Sequence, residues 1–142
     1  MSTDQQRITV RPYQESDYPF IKAILQEENL FRESVDSRQM LKKVIKENPG
    51  SILVSCEGQE VIGTVSFETG RVPLIFRLAV TSSRRHQGVG TILMQEAERE
   101  LRQRGYNDVH LLVEEENSEL HEFYRKLGYD KHNLYRWFHK EF

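Results

Sequence analysis

The chain is predicted to be a single mixed α/β domain over residues 1–142, and three observations predict it. Strand-like runs at 52–56, 61–67 and 73–80 follow one another with only turn residues between them, the pattern of an antiparallel meander. After the third run the order changes to strand, helix, strand, with a helix long enough to carry a parallel crossover. At that change stands a basic turn with two glycines, Arg84-Arg85-His86-Gln87-Gly88-Val89-Gly90.

Each element has a local cause. Ile8-Thr9-Val10-Arg11 reads as a first strand ended by Pro12. Ser16-Asp17 caps a helix with Pro19 in its first turn, where a missing N–H costs little, and Ile21, Ile24 and Leu25 mark its buried stripe. A second helix starts at Asp36 or Ser37, buries Leu41, Val44 and Ile45, and stops at Asn48-Pro49-Gly50. Glu57-Gly58-Gln59 is a hairpin signal, and a second turn lies around Thr69-Gly70. A helix beginning near Thr91 carries Val89, Ile92, Leu93, Ala97 and Leu101 on one face. It pairs Glu98 with Arg102 and Glu100 with Arg104 at i,i+4 spacing and ends at Gly105. Residues 108–113 form a further strand, Asn117 or Ser118 caps a last helix bearing Leu120, Phe123, Tyr124 and Leu127, and Gly128 closes it. The tail at 134–140 alternates like a terminal strand.

Composition bounds the function. At 142 residues the chain is the size of one domain, with 37% hydrophobic and 30% charged residues, as a soluble globular protein has. A net charge of -2 gives no global field for nucleic acid or an anionic membrane, so any anion site must be local. Cys56 is the only cysteine, which excludes an internal disulfide, and its apolar strand marks a buried thiol. The N-terminal residues lack the apolar stretch of a signal peptide, so a cytoplasmic location is expected. His86, His110, His121, His132 and His139 show no metal-ligand spacing, and no metal is implied.

The basic turn makes a cradle for a phosphorylated ligand. Amides at a helix N-terminus lack helical partners and carry the positive end of the dipole. Glycines let those amides approach phosphate closely, and two arginines add positive charge. There is no G-K-S/T, hence no P-loop, and the preceding meander is a poor setting for a dinucleotide fold.

At these residues the chain resembles the GNAT superfamily of N-acetyltransferases. Arg85, Gly88 and Gly90, after Leu78-Ala79-Val80, match that family's Q/R-x-x-G-x-G/A motif following an L-x-V strand. Asn117 ahead of Phe123-Tyr124-Arg125-Lys126-Leu127-Gly128-Tyr129 matches its second block. The resemblance implies a central twisted, mixed, mostly antiparallel sheet of about seven strands flanked by about four helices. It also implies an acetyl-CoA site. Amides of Arg85, His86, Gln87, Gly88, Val89 and Gly90, with Thr91 in the following helix, would hold the pyrophosphate. Arg84 and Arg85 would also reach phosphates. The backbone of Leu78 and Val80 would pair with the pantetheine arm as an added strand does, and an amide near Leu78 or Ala79 would meet the carbonyl oxygen.

Acetyl transfer from a thioester to an amine needs a base for the amine and an acid for the departing thiolate. Tyr124 matches the tyrosine that many members place near the sulfur as general acid, although it also lies on the apolar face of its helix. Asn117 would contact the CoA arm, cap the helix, or both. Some members carry a glutamate early in the strand before the cradle, where this chain has Pro73-Leu74-Ile75-Phe76. Glu68 and Glu114 are the replacements to test as base, beside a water chain and the simpler reading of both as solvated charges.

The expected function is therefore acetyl-CoA-dependent N-acetylation of a primary amine on a small molecule or a protein. The alternative is a non-catalytic acyl-CoA sensor of the same fold, suggested by the absent strand glutamate. Nucleic-acid binding has little support. The acceptor groove would draw on Leu30-Phe31-Arg32-Glu33-Ser34 and the aromatics at 135–138, which can equally complete the core or a homodimer contact.

Overall fold

Strands β1 (Ile8–Pro12), β2 (Ile52–Glu57), β3 (Glu60–Glu68) and β4 (Leu74–Val80) form an antiparallel sheet in the order β1-β2-β3-β4. The computed structural model describes residues 7–142. Its helices are α1 (Tyr18–Glu27), the single turn α2 (Glu33–Asp36), α3 (Arg38–Glu47), α4 (Val89–Gln103) and α5 (Ser118–Lys126). The chain divides into two compact units, one running to Leu111 and a smaller one over Leu112–Phe142.

In the first unit the meander is as predicted. Glu57 pairs with Glu60 across a two-residue turn, and β3 and β4 pair from Glu68↔Leu74 to Gly63↔Val80. Both faces of β2 are covered, which is why residues 52–56 are buried without alternation. Ile52, Val54 and Cys56 join Ile21, Ile24 and Leu25 of α1 and Leu41 of α3 in one core cluster. On the opposite face Leu93 of α4 stands over Gly63 of β3. Leu93, Met94, Ala97 and Leu101 are all at most 2% exposed, and each large one contributes about 2 kcal/mol by burial.

The helix ends follow local chemistry, with three refinements. Ser37, not Asp36, caps α3: its hydroxyl accepts from the Met40 amide at 3.1 Å. Asp17 occupies the N-cap position of α1, yet its carboxylate takes the Gln14 amide at 2.9 Å and the Arg11 guanidinium at 2.7 and 2.9 Å. Helix α4 begins at Val89 rather than near Thr91, because Gly88 turns the chain at φ +84 and lets the helix start at once. The Glu100–Arg104 pair forms at 3.2 Å, and Arg104 also ties the α3–β2 turn through Asn48 Oδ1 and the Pro49 carbonyl, both at 2.7 Å.

The crossover is parallel, as expected, but short. His110 bridges Leu74 in parallel, with Ile75 N donating to His110 O and His110 N to Pro73 O, both at 2.9 Å. The strand read over 108–113 is reduced to that bridge, so beyond Ile75 no further strand pairs with that edge of β4 among the described residues. In the second unit, Asn117 Oδ1 accepts from the Leu120 amide at 3.1 Å and caps α5 as predicted. The tail at 134–140 takes no regular structure: Tyr135, Trp137 and Phe138 are exposed, and an alternating sequence forms a strand only where another strand pairs with it. Four paired strands are thus formed among the described residues, against about seven implied by the resemblance.

Candidate functional site

The site is built where β4 leaves β3. Between Thr64↔Ala79 and Ser66↔Phe76 the strand β4 contains one more residue than β3, a bulge at Arg77-Leu78. Arg77 adopts φ +56, a left-handed conformation unusual for a non-glycine residue. A bulge bends and twists its strand. Leu78 and Val80 are half-buried on either side of the buried Ala79.

Arg77 is held by a buried partner that the sequence did not announce. Its Nε donates to Asp36 Oδ1 at 3.1 Å, while Asp36 Oδ2 accepts the Arg32 amide at 2.9 Å. The Asp36 carbonyl accepts the Tyr18 hydroxyl at 2.9 Å. With side-chain exposures of 18% and 4%, this pair locks the bulge to α2.

The cradle follows directly. Ser82–Arg84 form a 3-10 turn, His86 adopts φ +62, and Gly88 adopts φ +84 immediately before α4. Among the described residues no side chain caps α4, which leaves the first-turn amides of Val89, Gly90 and Thr91 without such a partner. Val89 is buried and anchors that turn, while Arg85 is half-buried and His86, Gln87 and Gly88 are exposed. A Cβ at Gly88 would meet nothing within 4 Å, so the space above the helix start is open. This arrangement, uncapped amides at a positive dipole end behind an open turn, suits a diphosphate.

Charge around the cradle is held in place. Arg84 Nη2 donates to Glu57 Oε1 at 3.1 Å. Arg85 Nε donates to the Val80 carbonyl at 3.1 Å, and its Nη2 lies 2.8 Å from Glu28 Oε1 in an ion pair whose geometry is not that of a hydrogen bond. Glu27 accepts from Thr81 Oγ1 at 3.1 Å and Ser82 Oγ at 2.7 Å. Gln87 Nε2 reaches the Ser83 carbonyl at 3.4 Å.

In the smaller unit, Tyr124 is half-buried with its ring edge-on to Phe123 and Tyr129, at 5.1 and 5.8 Å between centroids. Burial pushes its phenol up to about 12, so the hydroxyl keeps its proton. Glu114 is exposed, and its carbonyl accepts from the Asn117 amide at 3.1 Å and lies 2.8 Å from His121 Nε2. Glu68, also exposed, pairs with Leu74 at the start of β4, six residue steps or about 20 Å from the Val80 end that leads into the cradle. Among the described residues no group of three or more His, Cys, Asp or Glu side chains is placed to hold a metal. No helix of the described residues is long and apolar enough to cross a membrane.

The structure thus gathers Leu78 to Thr91 in one unit and Asn117, Glu114 and Tyr124 in the other. Sequence reasoning missed Glu27, Glu28, Asp36, Glu57 and Arg77. Only the pair Glu27-Glu28 left a readable sign, as two carboxylates at the negative end of a helix.

Comparison with known proteins gives a consistent result. Residues 13–129 match the model of the Acetyltransferase (GNAT) family. An acetyltransferase of Pectobacterium atrosepticum is 25% identical over 122 residues, 85% of this chain and 86% of that protein. Among solved structures, Ard1 of Thermoplasma volcanium has TM-score 0.75 at 25% identity, covering 85% of this chain and 81% of that one. The PaiA N-acetyltransferase of Thermoplasma acidophilum, solved with coenzyme A, has TM-score 0.74 at 19% identity, covering 85% and 88%.

Proposed function

The chain belongs to the GNAT family of acetyltransferases, which use acetyl-CoA, and on that premise we propose that it is an N-acetyltransferase acting on a primary amine by direct attack in a ternary complex. The observation that carries this reading is the uncapped start of α4 behind Gly88, adjoining a β4 edge that no strand among the described residues covers beyond Ile75.

Acetyl-CoA supplies an acetyl group activated as a thioester. The amides of residues 85–90 and of Thr91 hold the diphosphate through the helix dipole and direct hydrogen bonds. The backbone of Leu78 and Val80 receives the pantetheine arm as an added strand, and Asn117 contacts that arm while it caps α5. An amide at the bulge, near Leu78 or Ala79, stabilises the negative charge that develops on the carbonyl oxygen. Tyr124 gives its proton to the departing thiolate; its phenol carries that proton at neutral pH. The attacking amine loses its proton to Glu68, to Glu114 or to water.

The test follows free thiol release from acetyl-CoA with a panel of small-molecule and peptide amines. Turnover dependent on an amine supports the reading. Tight CoA binding without turnover across the panel would make the protein a sensor instead. CoA affinity retained by a Gly88→Glu, Gly90→Glu double variant would sink the cradle assignment, because bulk and negative charge there should exclude a diphosphate.

A further inference from the structure

Glu27 and Glu28 close α1, where the dipole is negative and no basic residue occupies the last turn. Two carboxylates there are locally unfavourable, and both are satisfied by the segment that follows β4. Glu27 accepts from the hydroxyls of Thr81 and Ser82, at 3.1 and 2.7 Å, which hold its carboxyl below the ordinary range. Glu28 pairs with Arg85 at 2.8 Å, and the same guanidinium donates through Nε to the Val80 carbonyl at 3.1 Å. One side chain therefore links the last residue of β4, the cradle that contains it, and the end of α1.

We propose that Arg85 is a positioning residue: its guanidinium braces the cradle against Glu28 and Val80, and the loop's backbone amides, not this side chain, bind the diphosphate. The proposal rests on the acetyl-CoA reading above. It separates the two halves of Arg85, whose amide belongs to the cradle and whose side chain belongs to the frame. Leaving Glu28 for a phosphate would cost Arg85 its link to Val80 and release the end of β4 where the added strand must pair. Glu27 fixes the same corner independently through Thr81 and Ser82, so the brace acts on a segment already held at its N-terminal end.

The competing arrangement, in which Arg85 swings onto a phosphate, predicts the opposite sign at Glu28. There Glu28 competes for the guanidinium, and removing its charge should tighten CoA binding. A brace predicts weaker binding.

The experiment measures CoA affinity by calorimetry, and acetyl-CoA kinetics, for the full chain carrying Glu28→Gln, Arg85→Gln, Arg85→Lys, or Glu28→Gln with Arg85→Gln. Glu28→Gln and Arg85→Gln are each expected to weaken CoA binding about three- to fivefold, the scale of a partly exposed ion pair. The double variant should be no weaker than the worse single one. Arg85→Lys keeps the charge but cannot span Val80 and Glu28 together, so it should behave like Arg85→Gln. KM for acetyl-CoA should rise with kcat unchanged, a split that general loss of folded protein does not produce. Unchanged or tighter binding by Glu28→Gln, or wild-type affinity in Arg85→Lys, would overturn the brace. If the unaltered chain fails to bind CoA, the functional reading falls first and takes the brace with it.

Discussion

Arg77 and Asp36 meet at 3.1 Å with both side chains largely withdrawn from water, joining the bulge of β4 to the single turn α2. Asp36 has no spare oxygen toward the chain, since Oδ2 holds the Arg32 amide. Removing the carboxylate strands a mostly buried guanidinium and an amide together. Asp36→Ala is expected to destabilise the protein by about 3–5 kcal/mol in urea unfolding. A loss under about 1 kcal/mol would show that the pair is solvated and that α2 does not hold the bulge.

Gly63 of β3 lies opposite Val80, on the face of the sheet that Leu93 of α4 covers. A Cβ there would approach Ser55 Oγ at 2.7 Å, Leu93 Cδ1 at 3.0 Å and the Ala79 carbonyl at 3.1 Å, and Ser55 and Leu93 are fully buried. Gly63→Ala is expected to cost about 1–3 kcal/mol by overpacking, and thermal unfolding measures it. Because the displaced Leu93 belongs to the helix that carries the cradle, CoA affinity should fall as well. An unchanged melting midpoint would show that this layer yields freely.

Asp17 sets part of the acid limit. Burial alone would raise its carboxyl, but the Arg11 guanidinium and the Gln14 amide outweigh burial and hold it below the ordinary 3.8. A carboxyl lowered by folding stabilises the native state above its unfolded value, and that contribution disappears as pH falls through the folded value. Asp17→Asn should therefore lose about 2 kcal/mol at neutral pH and converge on the wild-type stability only once pH has fallen below the folded value, which itself lies below 3.8. Denaturation at both pH values checks this; an equal loss at each would exclude the ionised Asp17 as the cause.

Tyr124→Phe removes the hydroxyl and keeps the ring that packs on Phe123 and Tyr129. If Tyr124 is the acid, kcat should fall about a hundredfold with KM for acetyl-CoA nearly unchanged. With its proton held up to about 12, Tyr124 imposes no alkaline loss of rate at ordinary assay pH. Wild-type kcat in the variant would leave the residue a packing role only.

The elements of this fold were legible where the cause is local. The buried stripe of α1, the Ser37 and Asn117 caps, the two-residue turn after Glu57 and the Glu100–Arg104 pair all follow from spacing within a few residues. The segments 108–113 and 134–140 alternate without forming full strands, because alternation shows that a segment could pair, not that a partner is present. The bulge was invisible for a related reason: Arg77 takes a glycine-like conformation without being glycine, and Asp36, which holds it there, is 41 residues away.

By itself the sequence determined the order of elements, the position of the basic glycine-containing turn and the family's motif residues, because glycines, caps and hydrophobic spacing act over one or two turns of chain. Only the tertiary structure decided what surrounds that turn. It assigned Arg84 to Glu57, Arg85 to Glu28 and Val80, and Arg77 to Asp36. An arginine beside a glycine-rich turn has the same sequence signature whether its charge meets a ligand or a carboxylate of another element. Which it meets depends on how α1 and α2 pack against the sheet, and that is set by long-range burial, which no local pattern records.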